Sequence, residues 1–150
     1  MLDTYLRKAE FSDMDLLFFW VNDDAVRENS FNPQEIEYED HKEWFANKMS
    51  SGSSIIYIYC KGEMPIGQAR IDVDGDSGLI SYSIENTHRQ KGHAGLLLTL
   101  LENTVISDLP EVKTLIARVK KSNIVSQRKF EQRMYEKLEC GNCFEYRKIL

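Results

Sequence analysis

The stretch LISYSIENTHRQKGHAGLLLTLLENTVI, residues 79–106, contains the pattern that decides the fold. Its first residues alternate between apolar and polar side chains, which predicts a β-strand, and the leucines after Gly95 predict a helix that runs to about Ile106. The loop between these elements, HRQKGHAG, is basic and carries two glycines. We expect a cradle for an anion here, because backbone N–H groups at a helix N-terminus point outward and the helix dipole favours negative charge there.

Individual loop residues strengthen this prediction. Gly92 and Ala94 leave room for a phosphate to approach the main chain, and Arg89 and Lys91 add positive charge. The loop lacks the Gly-Lys-Ser/Thr ending of a P-loop and the three glycines of a dinucleotide-binding turn, so these two phosphate motifs are excluded. A solvated basic turn ahead of an ordinary helix is the alternative interpretation.

The composition predicts one globular domain over residues 1–150. A net charge of −5 argues against nucleic acid as a partner, because binding to a phosphate backbone needs a broad basic surface. No apolar run approaches the length of a membrane span and no secretory signal is visible, so we expect no membrane partner and a cytoplasmic monomer or homodimer. A small polyanion, or else a solvated helix face, would account for the local basic residues, which are 88–91, Arg118, Lys120, Lys121, Arg128, Lys129 and Arg133.

The sequence Cys-Gly-Asn-Cys at Cys140 and Cys143 invites a redox or zinc interpretation. A thioredoxin-type pair opens a helix after a strand, whereas this pair lies between two strand-like runs. A zinc site would need two further ligands, and the chain has no second pair of this kind. We therefore predict a hairpin turn and no metal.

Hydrophobic periodicity along the chain predicts a mixed α/β sheet. A strand over residues 2–9 comes first, followed by a helix that Ser12 or Asp13 can cap. Tight turns at Gly62 and Gly75 join three strands as an antiparallel meander. The predicted helices are 14–21, 24–28, 39–49, 94–106 and 123–133, and the later strands are 54–61, 65–73, 78–85, 113–119, 135–139 and 144–150.

A second motif accompanies the loop. The residues RQKGHA, 89–94, match Arg/Gln-x-x-Gly-x-Gly/Ala, and Asn123, Ser126 and Phe130 follow the next predicted strand. In these two motifs and in its element order, the whole chain resembles the GNAT (Gcn5-related) N-acetyltransferases. A departure lies at Met134-Tyr135, where the family often has Gly-Phe.

The resemblance implies a GNAT-like fold, in which an antiparallel meander precedes a βαβ unit with a splayed central sheet, and a hairpin closes the chain. It also implies acetyl-CoA as the cofactor, with the pyrophosphate on backbone N–H groups of residues 90–95 and the pantetheine beside the main chain of Ser83 and Ile84. Asn123 and Ser126 would line the pantetheine or adenine side, although Asn123 is equally suited to be a plain helix N-cap. The residues implied for the cofactor are Ser83, Ile84, Arg89, Gln90, Lys91, Gly92, His93, Ala94, Gly95, Asn123 and Ser126.

The chemistry implied by the resemblance is direct attack of an unprotonated primary amine on the thioester. Backbone N–H groups of the fourth strand would stabilise the oxyanion. Many members protonate the leaving sulfur with a tyrosine at the position of Phe130, and Tyr82 or Tyr135 could replace it here. A thiolate, with a thiol pKa near about 8.5, also leaves unprotonated. The candidate bases are Glu85, Asp72 or a water relayed through Ser81.

Residues 19–45 would form the acceptor side. Their pattern FWVND…VR…HKEWF, together with GQARID at 67–72, is similar to GNAT enzymes that acetylate nucleotide-linked amino sugars. Arg27 and His41 would meet a nucleotide diphosphate, and Trp20 or Tyr82 would stack on a ring. The alternative is that the aromatic residues are helix core and that Arg27 caps a helix C-terminus. The acceptor candidates are Trp20, Asn22, Arg27, His41, Arg70 and Asp72.

Two rival functions stay open at the level of sequence. A protein N-terminal acetyltransferase of the ribosomal-protein type shares the opening of the acceptor segment. A non-catalytic acetyl-CoA-binding module is suggested by Phe130 and Met134, which stand where the family usually has tyrosine and glycine.

Overall fold

The computed structural model describes residues 3–150, and in that range the chain forms one mixed sheet with helices on both faces. The strands are β1 Thr4–Lys8, β2 Ser54–Lys61, β3 Met64–Asp74, β4 Ser77–Ile84, β5 Thr114–Lys120, β6 Glu136–Cys140 and β7 Cys143–Ile149. The α-helices are α1 Met14–Val21, α2 Asp24–Asn29, α3 Tyr38–Ser50, α4 His93–Asp108 and α5 Ile124–Gln132. Two short 3-10 turns lie at Phe11–Asp13 and Asn86–His88.

The strands lie in the order β1-β2-β3-β4-β5-β7-β6. Adjacent strands are antiparallel except for β4 and β5, which are parallel and joined through α4. The predicted mixed sheet is therefore confirmed, with its meander of β2, β3 and β4 followed by a βαβ unit and a closing hairpin. Gly62 and Gly75 adopt φ values of +59° and +62° in the meander turns, as their sequence positions predicted.

Alternation along β2 explains why the sheet has two cores. Tyr57 and Tyr59 belong to the larger cluster, which includes buried residues of α4 and α5, whereas Ile56 and Ile58 belong to the smaller one with residues of α1 and α3. Successive side chains of a strand point to opposite faces. Helices α4 and α5 thus cover one face of the sheet, and helices α1 and α3 cover the other.

The beginning of the chain differs in one detail from the prediction. Strand β1 falls within the predicted range, of which Leu2 lies outside the described residues. The sequence predicted that Asp13 could cap α1, but its side chain makes no capping hydrogen bond. It instead accepts hydrogen bonds from Arg7 at 2.8 and 2.9 Å and from the Glu10 N–H at 2.7 Å. A buried carboxylate needs charged partners, and the hydrogen bond from Arg7 holds the pKa of Asp13 below its usual value.

The Cys-Gly-Asn-Cys sequence forms the predicted hairpin turn between β6 and β7. Cys140 and Cys143 are paired across the strands, and Gly141 has a φ of +66°. The Cys143 thiol donates to the Cys140 carbonyl at 3.2 Å, and burial raises its pKa. Residues 3–150 contain no group of three or more His, Cys, Asp or Glu that could hold a metal ion. No helix in the same range is long and apolar enough to cross a membrane.

Candidate active site

The parallel pair of β4 and β5 opens after three residues. Residues 77–79 of β4 pair with 114–116 of β5, and no further pairing joins these strands in the described chain. Beyond Leu79, the main chain of β4 is bonded to β3 on one side and is open on the other. An open strand edge is a template for pairing with an extended ligand.

Tyr82 and Ser126 face each other across this opening. The Tyr82 hydroxyl lies 3.0 Å from Ser126 Oγ, near the start of α5. The Ser126 N–H donates to Asn123 Oδ1 at 3.2 Å, so the Asn123 side chain is an N-cap, as its alternative interpretation expected. Burial raises the pKa of Tyr82. Its hydroxyl therefore stays protonated at neutral pH and is able to donate a hydrogen bond into the opening.

The basic loop turns sharply into α4. Gln90 and Gly92 have φ values of +61° and +84°, a left-handed backbone that suits glycine. Leu96 is the first residue of the helix whose N–H bonds back, to the Gly92 carbonyl at 3.3 Å. The N–H groups of residues 93–95 lie in the first turn, where helices leave them without intrahelical partners. The backbone of the predicted anion cradle is therefore in place at the positive end of the α4 dipole.

Two side chains of the loop point away from this cradle. His93 is buried, with Nδ1 2.8 Å from the Tyr59 hydroxyl, and burial lowers its pKa. Arg89 Nη2 lies 2.8 Å from Asp23 Oδ2, and Arg89 Nε donates to the Ile84 carbonyl at 2.9 Å. This geometry corrects the expectation that the Arg89 side chain adds charge beside a phosphate, because its charge is already paired with a carboxylate ahead of α2. The Arg89 N–H donates to the Asn86 carbonyl at 3.4 Å, so of these two residues only the His93 N–H remains for the cradle.

A different cation lies against the start of α4. The Arg133 guanidinium packs on Gly95 so closely that a Cβ there would stand 2.5 Å from Arg133 Nη2. Arg133 Nε is buried without a hydrogen-bond partner, and Nη1 reaches only the Lys129 carbonyl, at 3.4 Å. No carboxylate of the described chain forms an ion pair with it. A guanidinium placed at the positive end of a helix without an acid favours an anion as the missing partner.

In the sequence, Arg133 stands out only as one member of the basic set. In the structure, the members of this basic set have different hydrogen-bond partners. Arg118 pairs with Glu145 and Lys121 with Glu139, whereas Lys120 donates to backbone carbonyls. The signal for Arg133 was Gly95 itself, because glycine in a helix costs about 1 kcal/mol relative to alanine and needs a reason.

Two of the acid and base candidates are engaged elsewhere. Glu85 Oε2 accepts hydrogen bonds from Thr87 and lies 2.7 Å from His88 Nδ1, and these contacts hold the pKa of Glu85 below its usual value. The Tyr135 hydroxyl donates to Glu102 Oε2 at 2.8 Å, inside the contact of Tyr135 with α4. These contacts argue against Glu85 as the base and against Tyr135 as the acid, because Glu85 caps a 3-10 turn and the Tyr135 hydroxyl donates to Glu102. Tyr82 is the remaining tyrosine of the pair.

A cavity of about 390 Å³ lies between the helices of the acceptor segment and the sheet. It reaches Ser83 near the end of β4, whose Oγ accepts a hydrogen bond from Gln68 at 3.0 Å. The volume lies within the range typical of small-molecule sites. The lining residues include four of the six acceptor candidates, Trp20, Arg27, His41 and Arg70, and also Asp40, Trp44, Gln68 and Ser83, which were not predicted as acceptor residues.

The other two acceptor candidates support the cavity from outside. Asn22 makes two hydrogen bonds with the Ile36 main chain, at 2.9 and 2.8 Å, and so fixes the segment before α3. Asp72 accepts from Lys48, Ser54 and Arg70, and these bonds outweigh burial and lower its pKa. The geometry thus argues against direct contact of either with an acceptor and against Asp72 as a base. Sequence alone could not distinguish a lining residue from the one that orients it.

The two cavity arginines differ in their partners. Arg70 is paired with Asp72 at 2.9 Å and lies over the Trp44 ring, 5.2 Å from its centroid. Arg27 donates to the carbonyls of Val21, Asn32 and Gln34 and to the Ser30 hydroxyl, all neutral acceptors. Desolvation lowers the pKa of Arg27, which is the electrostatic cost of holding a cation in this place. Its positive charge is therefore not neutralised by any carboxylate within the described residues.

His41 is the buried titratable base of the cavity lining. Its Nε2 lies 3.0 Å from the Met14 carbonyl. Because a carbonyl accepts only, Nε2 must carry the proton, and the neutral ring then has its lone pair on Nδ1. Burial lowers the pKa of His41. The ring is thus neutral at physiological pH, with one nitrogen able to accept a proton.

Comparison with known proteins shows a family and a fold that agree with the sequence motifs. A family model described as an acetyltransferase (GNAT) domain matches residues 3–132. Among solved structures, a domain from Methanocaldococcus jannaschii is 20% identical, with a TM-score of 0.87 and 98% of both chains covered. AAC(6′)-Ib in complex with paromomycin and acetyl-CoA is 20% identical, with a TM-score of 0.84 over 98% of this chain and 93% of that one.

RimL, a ribosomal L7/L12 alpha-N-protein acetyltransferase in complex with coenzyme A, is 14% identical, with a TM-score of 0.86 over 100% of this chain and 96% of that one. Identities this low show a shared fold. No curated protein matches this sequence significantly.

Proposed function

This chain belongs to the acetyltransferase (GNAT) domain family, and from that premise we propose that it transfers an acetyl group from acetyl-CoA to the primary amine of a small anionic acceptor, a nucleotide-linked 4-amino-sugar. The single observation that carries the acceptor class is the Arg27 charge in the cavity, which has only neutral partners in the described chain.

The residues at the cofactor cleft fit this cofactor. Acetyl-CoA supplies an activated acetyl thioester when bound. Backbone N–H groups of residues 93–95 and the Arg133 guanidinium, with its orphaned Nε, suit a diphosphate. The open edge of β4 suits the pantetheine amides, since the main chain there has no partner on the β5 side.

Three groups of this chain meet the needs of the transfer. His41 Nδ1 accepts the ammonium proton of the acceptor, directly or through water. Backbone N–H groups at the open edge of β4 stabilise the developing oxyanion. The Tyr82 hydroxyl, which lies 3.0 Å from Ser126 Oγ, would donate a hydrogen bond to the leaving sulfur, where Phe130 has no hydroxyl to do so. The sulfur would leave as a thiolate and take up the second proton of the amine to give the CoA thiol.

Charge complementarity favours an anionic acceptor over a polycationic one. A polycationic amine, such as an aminoglycoside or a polyamine, would place positive groups beside the uncompensated Arg27 guanidinium, and like charges in a half-buried cavity repel. Asp40 is the lining carboxylate, and it is exposed. A diphosphate would instead give the Arg27 charge the anionic partner that the protein does not supply. The contact would use the remaining Nη2 hydrogen, because the other four N–H groups of the guanidinium already donate to neutral acceptors.

The test is turnover, measured as release of the CoA thiol from acetyl-CoA. A UDP-4-amino-sugar, spermidine, and a peptide with a free N-terminus are offered in parallel, and the corresponding UDP-4-acetamido-sugar serves as the control without an amine. We expect turnover with the amino-sugar and competitive inhibition of it by UDP. Faster acetylation of the peptide would favour the N-terminal acetyltransferase. Binding of acetyl-CoA in calorimetry without turnover of any amine would favour the non-catalytic module.

A further inference from the structure

The segment that closes the acceptor cavity is held from two sides. We call residues 23–30 the α2 strap, since they contain α2 and its flanking residues. At its beginning, Asp23 is paired with Arg89 at 2.8 Å. At its end, Lys120 Nζ donates to the carbonyls of Glu28 and Ser30, at 2.9 and 3.3 Å. Arg89 follows β4 and Lys120 ends β5, so the strap is attached to both strands that border the cofactor cleft.

The middle of the strap forms part of the acceptor wall. Val26 and Arg27 line the cavity, and Val26 also lines a small cleft that extends to Ser83 and Arg89. Helix α2 has six residues, none of them buried. A helix this short is not stable by its own hydrogen bonds. The position of Arg27 therefore depends on its own hydrogen bonds to Val21, Asn32 and Gln34. It also depends on the attachments at the two ends of the strap.

Asp23 carries two functions with a single oxygen. Its Oδ2 accepts the N–H groups of Ala25 and Val26, at 3.1 and 3.3 Å, which caps α2, and the same atom pairs with Arg89. Arg89 also donates to the Ile84 carbonyl at 2.9 Å. Any change in the position of the cofactor loop at Arg89 is thus passed directly to the first turn of the strap.

From this geometry we propose that Arg89 is a positioning residue for the acceptor site: the cofactor loop holds the α2 strap through the Arg89–Asp23 pair, so that binding of CoA stabilises the acceptor wall. The inference rests on the proposed function, because it takes CoA as the ligand of the loop. Coupling of this kind is reciprocal, so acceptor binding must also favour CoA. A single, partly exposed ion pair supports a coupling of about 2- to 5-fold.

The experiment is hydrogen–deuterium exchange of residues 23–30, with and without CoA, alongside calorimetry of CoA binding. In the unmodified protein we expect CoA to slow amide exchange in the strap by about 2- to 5-fold. The variant Asp23→Asn keeps a good N-cap but loses the charge. It is expected to bind CoA with nearly unchanged affinity and to lose the CoA-dependent protection, and Asp23→Glu is expected to recover part of it.

A matched control removes an ion pair elsewhere. Glu139→Gln takes away the partner of Lys121 in the β6–β7 hairpin, and the CoA-dependent protection of the strap should be retained. If calorimetry shows CoA binding while strap exchange is unaffected, or if Asp23→Asn keeps the full protection, this inference is overturned and the proposed function stands. If the unmodified protein does not bind CoA, both are overturned.

Discussion

Gly67 of β3 lies where the sheet has no room for a side chain, and we predict that Gly67→Ala destabilises the protein. A Cβ at this position would stand 2.8 Å from the Ser83 carbonyl oxygen, 3.1 Å from Ile84 Cδ1 and 3.4 Å from Tyr59 Cδ2. The first of these atoms is backbone of the adjacent strand, so a flexible side chain cannot relieve the contact. Strand β4 would have to retreat by roughly half an ångström to reach ordinary contact distance, at the edge that faces the cofactor cleft.

The expected magnitude follows from overpacking. Inserting a methyl group into a well-packed interior costs about 1–3 kcal/mol of unfolding free energy. For a domain of this size, each kcal/mol lowers the melting temperature by about 2–4 °C, so we expect a decrease of roughly 2–12 °C. The measurement is equilibrium unfolding in urea, followed by both fluorescence and circular dichroism, with thermal melting in parallel.

Gly52→Ala is the matched control. A Cβ at Gly52 would meet nothing within 4 Å, so the same chemical change is expected to be neutral or to stabilise by about 0.4–1 kcal/mol, through the lower entropy of the unfolded chain. Equal unfolding free energies for the two variants would contradict this prediction, because the whole expected difference comes from the close approach of β3 and β4. Gly67→Ala should also weaken CoA binding, since it displaces the Ser83 main chain.

Three further predictions concern charge and titration. Arg133→Met should weaken CoA binding by about 10- to 100-fold in calorimetry, as expected for a lost charge-assisted hydrogen bond. The binding of pantetheine should be unaffected, and Arg128→Met, at an exposed arginine, is the control. Equal losses of affinity for CoA and pantetheine would contradict a phosphate contact. Asp72→Asn should lower the unfolding free energy at pH 7 by about 1–3 kcal/mol. Because the pKa of Asp72 is lower in the folded state than in the unfolded state, its stabilising contribution is present above the unfolded-state pKa and is lost as pH falls through the folded-state pKa. A difference in stability between the variant and the unmodified protein that does not depend on pH would contradict this. His41→Gln keeps a donor for the Met14 carbonyl but removes the base, so kcat should fall by about 100-fold, whereas Glu85→Gln should change kcat little, and the reverse order would return Glu85 to the role of base.

The cofactor side was largely predictable from sequence because its signals are local. The loop needs Gly92 for a left-handed turn and N–H groups at a helix start, and both follow from adjacent residues. Asn123 likewise caps the helix that it precedes. Arg133 was not singled out, because Gly95 indicates only that some group packs closely on α4, and the residue that does so lies at the end of α5.

The acceptor side was predictable only in part. Trp20 and His41 were expected to share a site and do line one cavity. Asn22 and Asp72 were expected there as well, yet each is bonded to other residues of this chain beside the cavity. Their residue types are the same whether they touch a ligand or orient a neighbour, so the difference depends on the direction of a side chain in the folded protein.

The order of elements, the antiparallel meander, the basic loop at a helix start and the family could be read from the sequence, because these depend on periodicity, turn residues and spacing along the chain. The partners of the charged residues, in contrast, depend on the tertiary structure. It paired Arg89 with Asp23, 66 positions away, and left Arg27 and Arg133 without acids within the described residues. The physical reason is that the energy of an ion pair depends on distance and burial, and for residues so far apart in sequence both are fixed only when the sheet brings its helices together.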